Sequence, residues 1–132
     1  LDIYEGETLG IFPEGTRNRK GTMLGQIKEG AALFAIKGKS DVVPVMIYKK
    51  AKLFRRNYLW VGKSFSLGEF YGKRADAALL KEASDIIEEH MLKAQKDLND
   101  YVFYNKSKFG KRLKKDAVKA EKSLKKLLGE KQ

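Results

Sequence analysis

Asp41-Val42-Val43-Pro44-Val45-Met46-Ile47-Tyr48 is apolar and rich in β-branched residues after its first position, with no alternation of apolar and polar side chains. Such a run suits a strand covered on both faces. Pro44 has no N–H for a ladder hydrogen bond, which assigns it to the start of that strand or to a bulge. Upstream, Ile27, Ala31, Phe34 and Ala35 recur at helical offsets within Gln26–Lys37, and Gly38 can end that helix. Further upstream, Thr8–Phe12 is a short apolar run closed by Pro13-Glu14-Gly15, read as a strand followed by a turn. Downstream, after the basic turn Lys49–Asn57, Tyr58–Phe65 forms another strand-like run. Strand, helix, strand, strand implies an α/β fold built on a mixed sheet flanked by helices.

The remaining sequence is helical in pattern. Asp76 can cap a helix running to about Asn99, with Leu80, Ala83, Ile87, Met91, Ala94 and Leu98 on one face to pack on the body. In the tail, Leu113, Ala117, Ala120, Leu124 and Leu127 repeat at four, three, four and three, leaving Lys and Arg on the other faces. The expected organisation is a body over residues 1–75, a packing helix over 76–99 and a basic amphipathic tail over 100–132.

Length and charge narrow the function. The chain has 132 residues, with 28 Lys plus Arg against 17 Asp plus Glu, a net charge of +11. Its 42% apolar residues suffice for a core and exclude global disorder. Tyr104–Gln132 carries 11 basic and 3 acidic residues, so +8 of the charge lies in the tail and only +3 in the first 103 residues. The absence of cysteine excludes disulfides, thiolate metal sites and cysteine nucleophiles, and the single histidine cannot make a zinc site. No metal is therefore expected. No apolar run approaches the ~18 residues of a membrane span, and Leu1–Glu5 lacks the features of a signal peptide. The start without Met, in what reads as the end of a polar helix or loop, leads us to expect a fragment whose upstream portion is missing.

The most informative loop is Gly10-Ile11-Phe12-Pro13-Glu14-Gly15-Thr16-Arg17-Asn18-Arg19-Lys20-Gly21. A strand delivers a glycine turn that lets backbone approach a ligand, followed by a hydroxyl, a guanidinium and two more cations. That chemistry suits a phosphate, although residue types alone fit an ordinary Pro-Gly turn with a solvated basic flank equally well. Gly38-Lys39-Ser40 and Gly62-Lys63-Ser64 imitate the end of a nucleotide-binding P-loop, but Leu33 and Asn57 stand where its first glycine is required. Both read as surface turns. Asn105-Lys106-Ser107 fits a glycosylation triplet by chance. His90 lacks an aspartate five positions on, where Gln95 stands, and reads as a helix-flank residue rather than a general base. The chain holds no complete catalytic set.

Phe12-Pro13-Glu14-Gly15-Thr16-Arg17, then Gly21, Lys28-Glu29-Gly30-Ala31 and Val43-Pro44-Val45-Met46-Ile47, resembles two sequence blocks of the glycerolipid acyltransferases, lysophosphatidate acyltransferases in particular. The resemblance runs roughly from Gly6 to Leu67. It implies the C-terminal part of a glycerol-3-phosphate acyltransferase-like sheet, and transfer of an acyl group from an acyl-carrier-protein or coenzyme A thioester to the free hydroxyl of 1-acylglycerol 3-phosphate, giving phosphatidate. By the same resemblance Glu14, Gly15, Thr16 and Arg17 bind the acceptor. Arg17 would hold its phosphate through two parallel hydrogen bonds, and Glu14 would orient Arg17 or a glycerol hydroxyl. Phe12 and Pro13 would fix the loop, and Val43, Pro44 and Val45 would form a buried strand walling the acyl site. The family's Asn-His-x-x-x-x-Asp block, which supplies the histidine base, has no counterpart in this sequence, so the chain is expected to be inactive alone.

No cofactor is expected beyond the acyl thioester. The implied partners are lysophosphatidate, the thioester carrier and an anionic membrane surface reached by the basic tail, with a peripheral location on the cytoplasmic face of the membrane. Two other readings compete. The +11 charge could serve a nucleic-acid-binding module, but its lysines cluster in one tail without interleaved aromatic platforms. Alternatively, a non-catalytic lipid-binding piece could retain the phosphate loop.

Overall fold

The computed structural model describes residues 6–16, 24–49, 51–54 and 56–129. Five elements follow in chain order: α1 (Glu29–Lys37), β1 (Val45–Ile47), β2 (Leu59–Val61), α2 (Ala77–Lys106) and α3 (Lys108–Leu127), with a short 3₁₀ turn at Gly68–Phe70 before α2.

Helix α2 organises the rest. Asp76 caps it as expected, its Oδ1 accepting from the Leu79 N–H at 2.8 Å. Ala83, Ile87, Met91, Ala94, Leu98 and Val102 follow at intervals of three and four and are all buried. This stripe packs against α1 and both strands and, near its end, α3. Ala32, Ala35 and Ile36 of α1, Met46 of β1, and Leu67 and Phe70 complete the core. The helix does not stop near Asn99 but continues to Lys106. Val102 extends the buried stripe one turn, so the driving force for helix persists past the expected end.

Ser107 separates the two long helices. Its Oγ donates to the Phe103 carbonyl at 2.8 Å and accepts from the Gly110 N–H at 2.8 Å, closing α2 and capping α3 at once. Gly110 is buried against this corner, where a Cβ would collide with the Phe103 carbonyl oxygen. The triplet Asn105-Lys106-Ser107 thus forms a helix junction.

The sheet is smaller than the sequence pattern predicts. β1 and β2 pair antiparallel, Val45 with Val61, Met46 with Trp60 and Ile47 with Leu59. Val42 and Phe65 add one antiparallel bridge beyond them. Between these pairings one strand contributes two residues, Val43 and Pro44, and the other three, Gly62 to Ser64, which is a bulge. Pro44 sits at this bulge directly before β1, where its missing N–H is harmless. Its carbonyl accepts from the Gly62 N–H at 2.8 Å.

Two expectations are corrected. The strand around Pro44 is covered on one face only: Met46 is 5% exposed, whereas Val45 and Ile47 on the other face are 45% and 49% exposed. The reason is that α2 covers one side of a two-stranded sheet and no described element covers the other. Thr8–Phe12 is irregular chain rather than a strand, for it makes no ladder with any described residue. An apolar, β-prone run becomes a strand only when a sheet edge is there to pair with it.

Gly62 is required by the bulge, because a Cβ there would lie 2.8 Å from Pro44 Cγ and 3.3 Å from Ala94 Cβ. Gly62→Ala should therefore lower stability by about 1–3 kcal/mol in urea unfolding. Pro44→Ala, which removes Cγ, should recover part of that loss in the double variant. Additive losses would place the strain elsewhere.

Candidate functional site

The loop singled out by its residues is built around one turn. The Gly15 N–H donates to the Phe12 carbonyl at 3.0 Å, and Gly15 takes φ +63°, a conformation that glycine adopts freely. The Lys28 N–H donates to the Pro13 carbonyl at 2.8 Å, which ties the turn to the N-terminus of α1. The aliphatic stem of Lys28 lies over Gly15, where a Cβ would come within 3.2 Å of Lys28 Cγ.

Glu14 supplies the second tie. Its Oε2 accepts from the Gly25 N–H at 2.8 Å, joining the two ends of the segment between them. Gly25 has no room for a side chain, because a Cβ would collide with the same carboxylate. Glu14 was expected to orient Arg17 or a substrate hydroxyl. Among the described residues its partner is backbone, the Gly25 N–H, which holds the two ends of the loop together. Thr16 is exposed at the start of the segment, while Arg17 lies outside the described residues. Gly25 was not singled out from sequence, since a glycine carries no chemistry of its own and the clash that demands it becomes visible only once Glu14 is placed.

Beside this turn lies a groove of about 810 Å³. One wall is the chain from Glu7 to Pro13, and the other is Ser40 to Val45. Ala31, Phe34 and Ala35 of α1 close one side, and Ile87 and Met91 of α2 form the floor. Apolar side chains dominate, with Glu7, Thr8, Ser40 and Asp41 as polar exceptions, and the volume lies within the ~300–1,000 Å³ typical of small-molecule sites. Phe12 and Pro13 belong both to the groove wall and to the turn, so Gly15 and Thr16 open next to the groove. Val43 and Val45, expected to be buried, are half exposed because they line it; Pro44 between them is buried.

α1 begins at Glu29 with Lys28 at the capping position and no side-chain cap, and the Lys28–Pro13 hydrogen bond sets this positive end of the helix beside the turn, with Glu29 in its first turn. His90 plays no part in this site. Its ring stacks on Phe65 with centroids 3.7 Å apart and planes within 4°, as the helix-flank reading requires.

If the Glu14 carboxylate holds the loop, Glu14→Ala should speed hydrogen exchange of the Gly25 amide about tenfold and cost about 1–2 kcal/mol, as measured by NMR and urea unfolding. Glu14→Gln, which keeps an acceptor oxygen, should cost less. Unchanged exchange in Glu14→Ala would rule out the tie.

Residues 3–48 match the family model described as Acyltransferase. A Borreliella burgdorferi protein named 1-acyl-sn-glycerol-3-phosphate acyltransferase is 39% identical over 58 residues, which cover 44% of this chain and 23% of that relative. The matched stretch thus spans about a quarter of the curated relative's length. No solved structure gives a significant match. The family match falls on the part that contains the turn and much of the groove wall, and over that part the chain is similar to the acyltransferases.

Proposed function

We propose that this chain carries the acceptor-binding part of an enzyme that acylates the free hydroxyl of 1-acylglycerol 3-phosphate to give phosphatidate. The observation that carries the reading is the Glu14–Gly25 tie, which presents Gly15 and Thr16 beside an apolar groove. A lysophosphatidate has the same two-part character: a phosphate at one end and a hydrocarbon chain at the other. The phosphate would lie at Gly15 and Thr16 against the uncapped end of α1, with Arg17 supplying a bidentate guanidinium. The hydrocarbon would lie in the groove along Ile11, Phe34, Val43 and Val45, above Met91.

In the reaction the acceptor hydroxyl oxygen attacks the carbonyl carbon of an acyl thioester from acyl-carrier protein or coenzyme A. A C–O bond forms, the C–S bond breaks, and the hydroxyl proton passes through a base to the departing sulfur. His90, stacked on Phe65 and without an aspartate five positions on, is not assigned as that base. We assign the base to the family's histidine-aspartate block, which these 132 residues do not contain. This chain then binds the acceptor without turning it over.

Calorimetric titration with a short-chain 1-acylglycerol 3-phosphate should show binding at least about tenfold tighter than the matching monoacylglycerol. Arg17→Ala should abolish that preference, and Arg17→Lys should not restore it fully, because an ammonium lacks the planar fork. Mixing the chain with acceptor and acyl coenzyme A should yield no phosphatidate. Equal affinity for the two lipids, or turnover at the rate of full-length relatives, would refute the proposal.

A further inference from the structure

The loop between β1 and β2 leaves its largest apolar side chains in water. Five Lys and Arg lie between Lys49 and Arg56, and in their midst Leu53 is 82% and Phe54 101% exposed. Phe54 takes φ +57°, a left-handed conformation unfavourable for an aromatic residue. The base of the loop is closed by Asn57, whose Oδ1 accepts from the Lys52 N–H at 3.1 Å and whose Nδ2 donates to the Lys52 carbonyl at 3.0 Å. The loop therefore presents an apolar tip that cations flank in the sequence.

This loop shares one end of the molecule with α3. Tyr58, just beyond the loop, meets Tyr48 at a centroid distance of 6.4 Å and Tyr101 of α2 at 6.2 Å. The ammonium of Lys106, on the last residue of α2, sits 5.0 Å from the Tyr58 ring and 5.8 Å from the Tyr48 ring. α3 begins two residues later. It carries nine Lys and Arg against Asp116 and Glu121. At 3.6 residues per turn, Phe109, Leu113, Ala117, Ala120, Leu124 and Leu127 fall within an arc of about 80°, which no cation shares. Leu113 and Ala117 face Tyr101 and Tyr104 across a cleft of about 510 Å³. Leu124 and Leu127 are 57% and 84% exposed.

We infer that the loop tip and α3 together form a docking surface for an anionic lipid bilayer. Leu53, Phe54, Leu124 and Leu127 enter the boundary between headgroups and acyl chains, and the lysines and arginines meet the headgroup phosphates. No helix among the described residues is long and apolar enough to cross a membrane, and α3, with a narrow apolar arc and a wide cationic one, has the form of a helix lying in the interface. Charge complementarity alone would also admit a nucleic acid. The exposed leucines and Phe54 favour lipid, because a phosphodiester backbone offers no medium in which an aliphatic stripe is buried. The inference stands on these two elements and is independent of the reading of the phosphate turn.

Flotation of the chain with vesicles at physiological salt tests it. Vesicles of phosphatidylcholine with 30% phosphatidylglycerol should bind at least about tenfold more chain than phosphatidylcholine alone. Leu53→Ser with Phe54→Ser, and separately Leu124→Glu with Leu127→Glu, should each reduce that binding about tenfold or more, with far-UV circular dichroism unchanged. As a readout independent of lost affinity, Phe54→Trp should add a fluorescence component that shifts to the blue on anionic vesicles and is quenched by brominated lipid. Parental binding by both apolar variants, an unshifted indole, or displacement from vesicles by duplex DNA at the same salt would overturn it.

Discussion

The structure depends on one apolar stripe, the side chains of α2 from Ala83 through Val102. α1, β1 and β2 all pack on it, and α3 is reached through its last turn. Without that stripe a two-stranded sheet of three residues per strand and a nine-residue helix would have no common surface to bury, and such pieces are marginal by themselves. The stripe also serves the site directly. Ile87 and Met91 belong to the core and at the same time form the floor of the groove, so the groove's depth is set by the same packing that holds the fold.

A second constraint, the bulge at Pro44, sets what the groove's wall looks like. Because the Pro44 carbonyl takes the Gly62 N–H, β1 enters its pairing with Met46 toward α2 and Val45 away from it. Val43 and Val45 are thereby turned into the groove, although their sequence context reads as interior. β-branched residues in an unbroken run satisfy a strand buried on both faces, and here they serve one buried face and one groove wall. Pattern reports that side chains are apolar; it does not report whether protein or ligand covers them.

The same distinction explains which parts of the fold were legible. The α2 stripe, the Asp76 cap and the place of Pro44 follow from local rules, periodicity, an orphan N–H and a missing N–H, and all three were readable. The end of α2, the irregular chain at Thr8–Phe12 and the size of the sheet depend on what lies across from each segment. At the site, the residue types of Pro13 through Arg17 fitted a phosphate loop and an ordinary turn equally well, and the bond from the Gly25 N–H to the Glu14 carboxylate was not foreseen. A carboxylate beside a guanidinium suggests a functional pair, and only geometry showed that its hydrogen bond goes to backbone eleven residues away.

The central claim is that the turn and the groove form one site, with the polar end of a ligand at Gly15 and its hydrocarbon beneath Val43 and Val45. Amide and methyl NMR of the isotopically labelled chain, titrated with a short-chain 1-acylglycerol 3-phosphate, tests this directly. The account predicts saturable shifts at the amides of Gly15, Gly25 and Lys28 together with shifts at the methyls of Val43 and Val45, all following one dissociation constant. Shifts confined to α3, or shifts at the turn and in the groove that titrate separately, would contradict it.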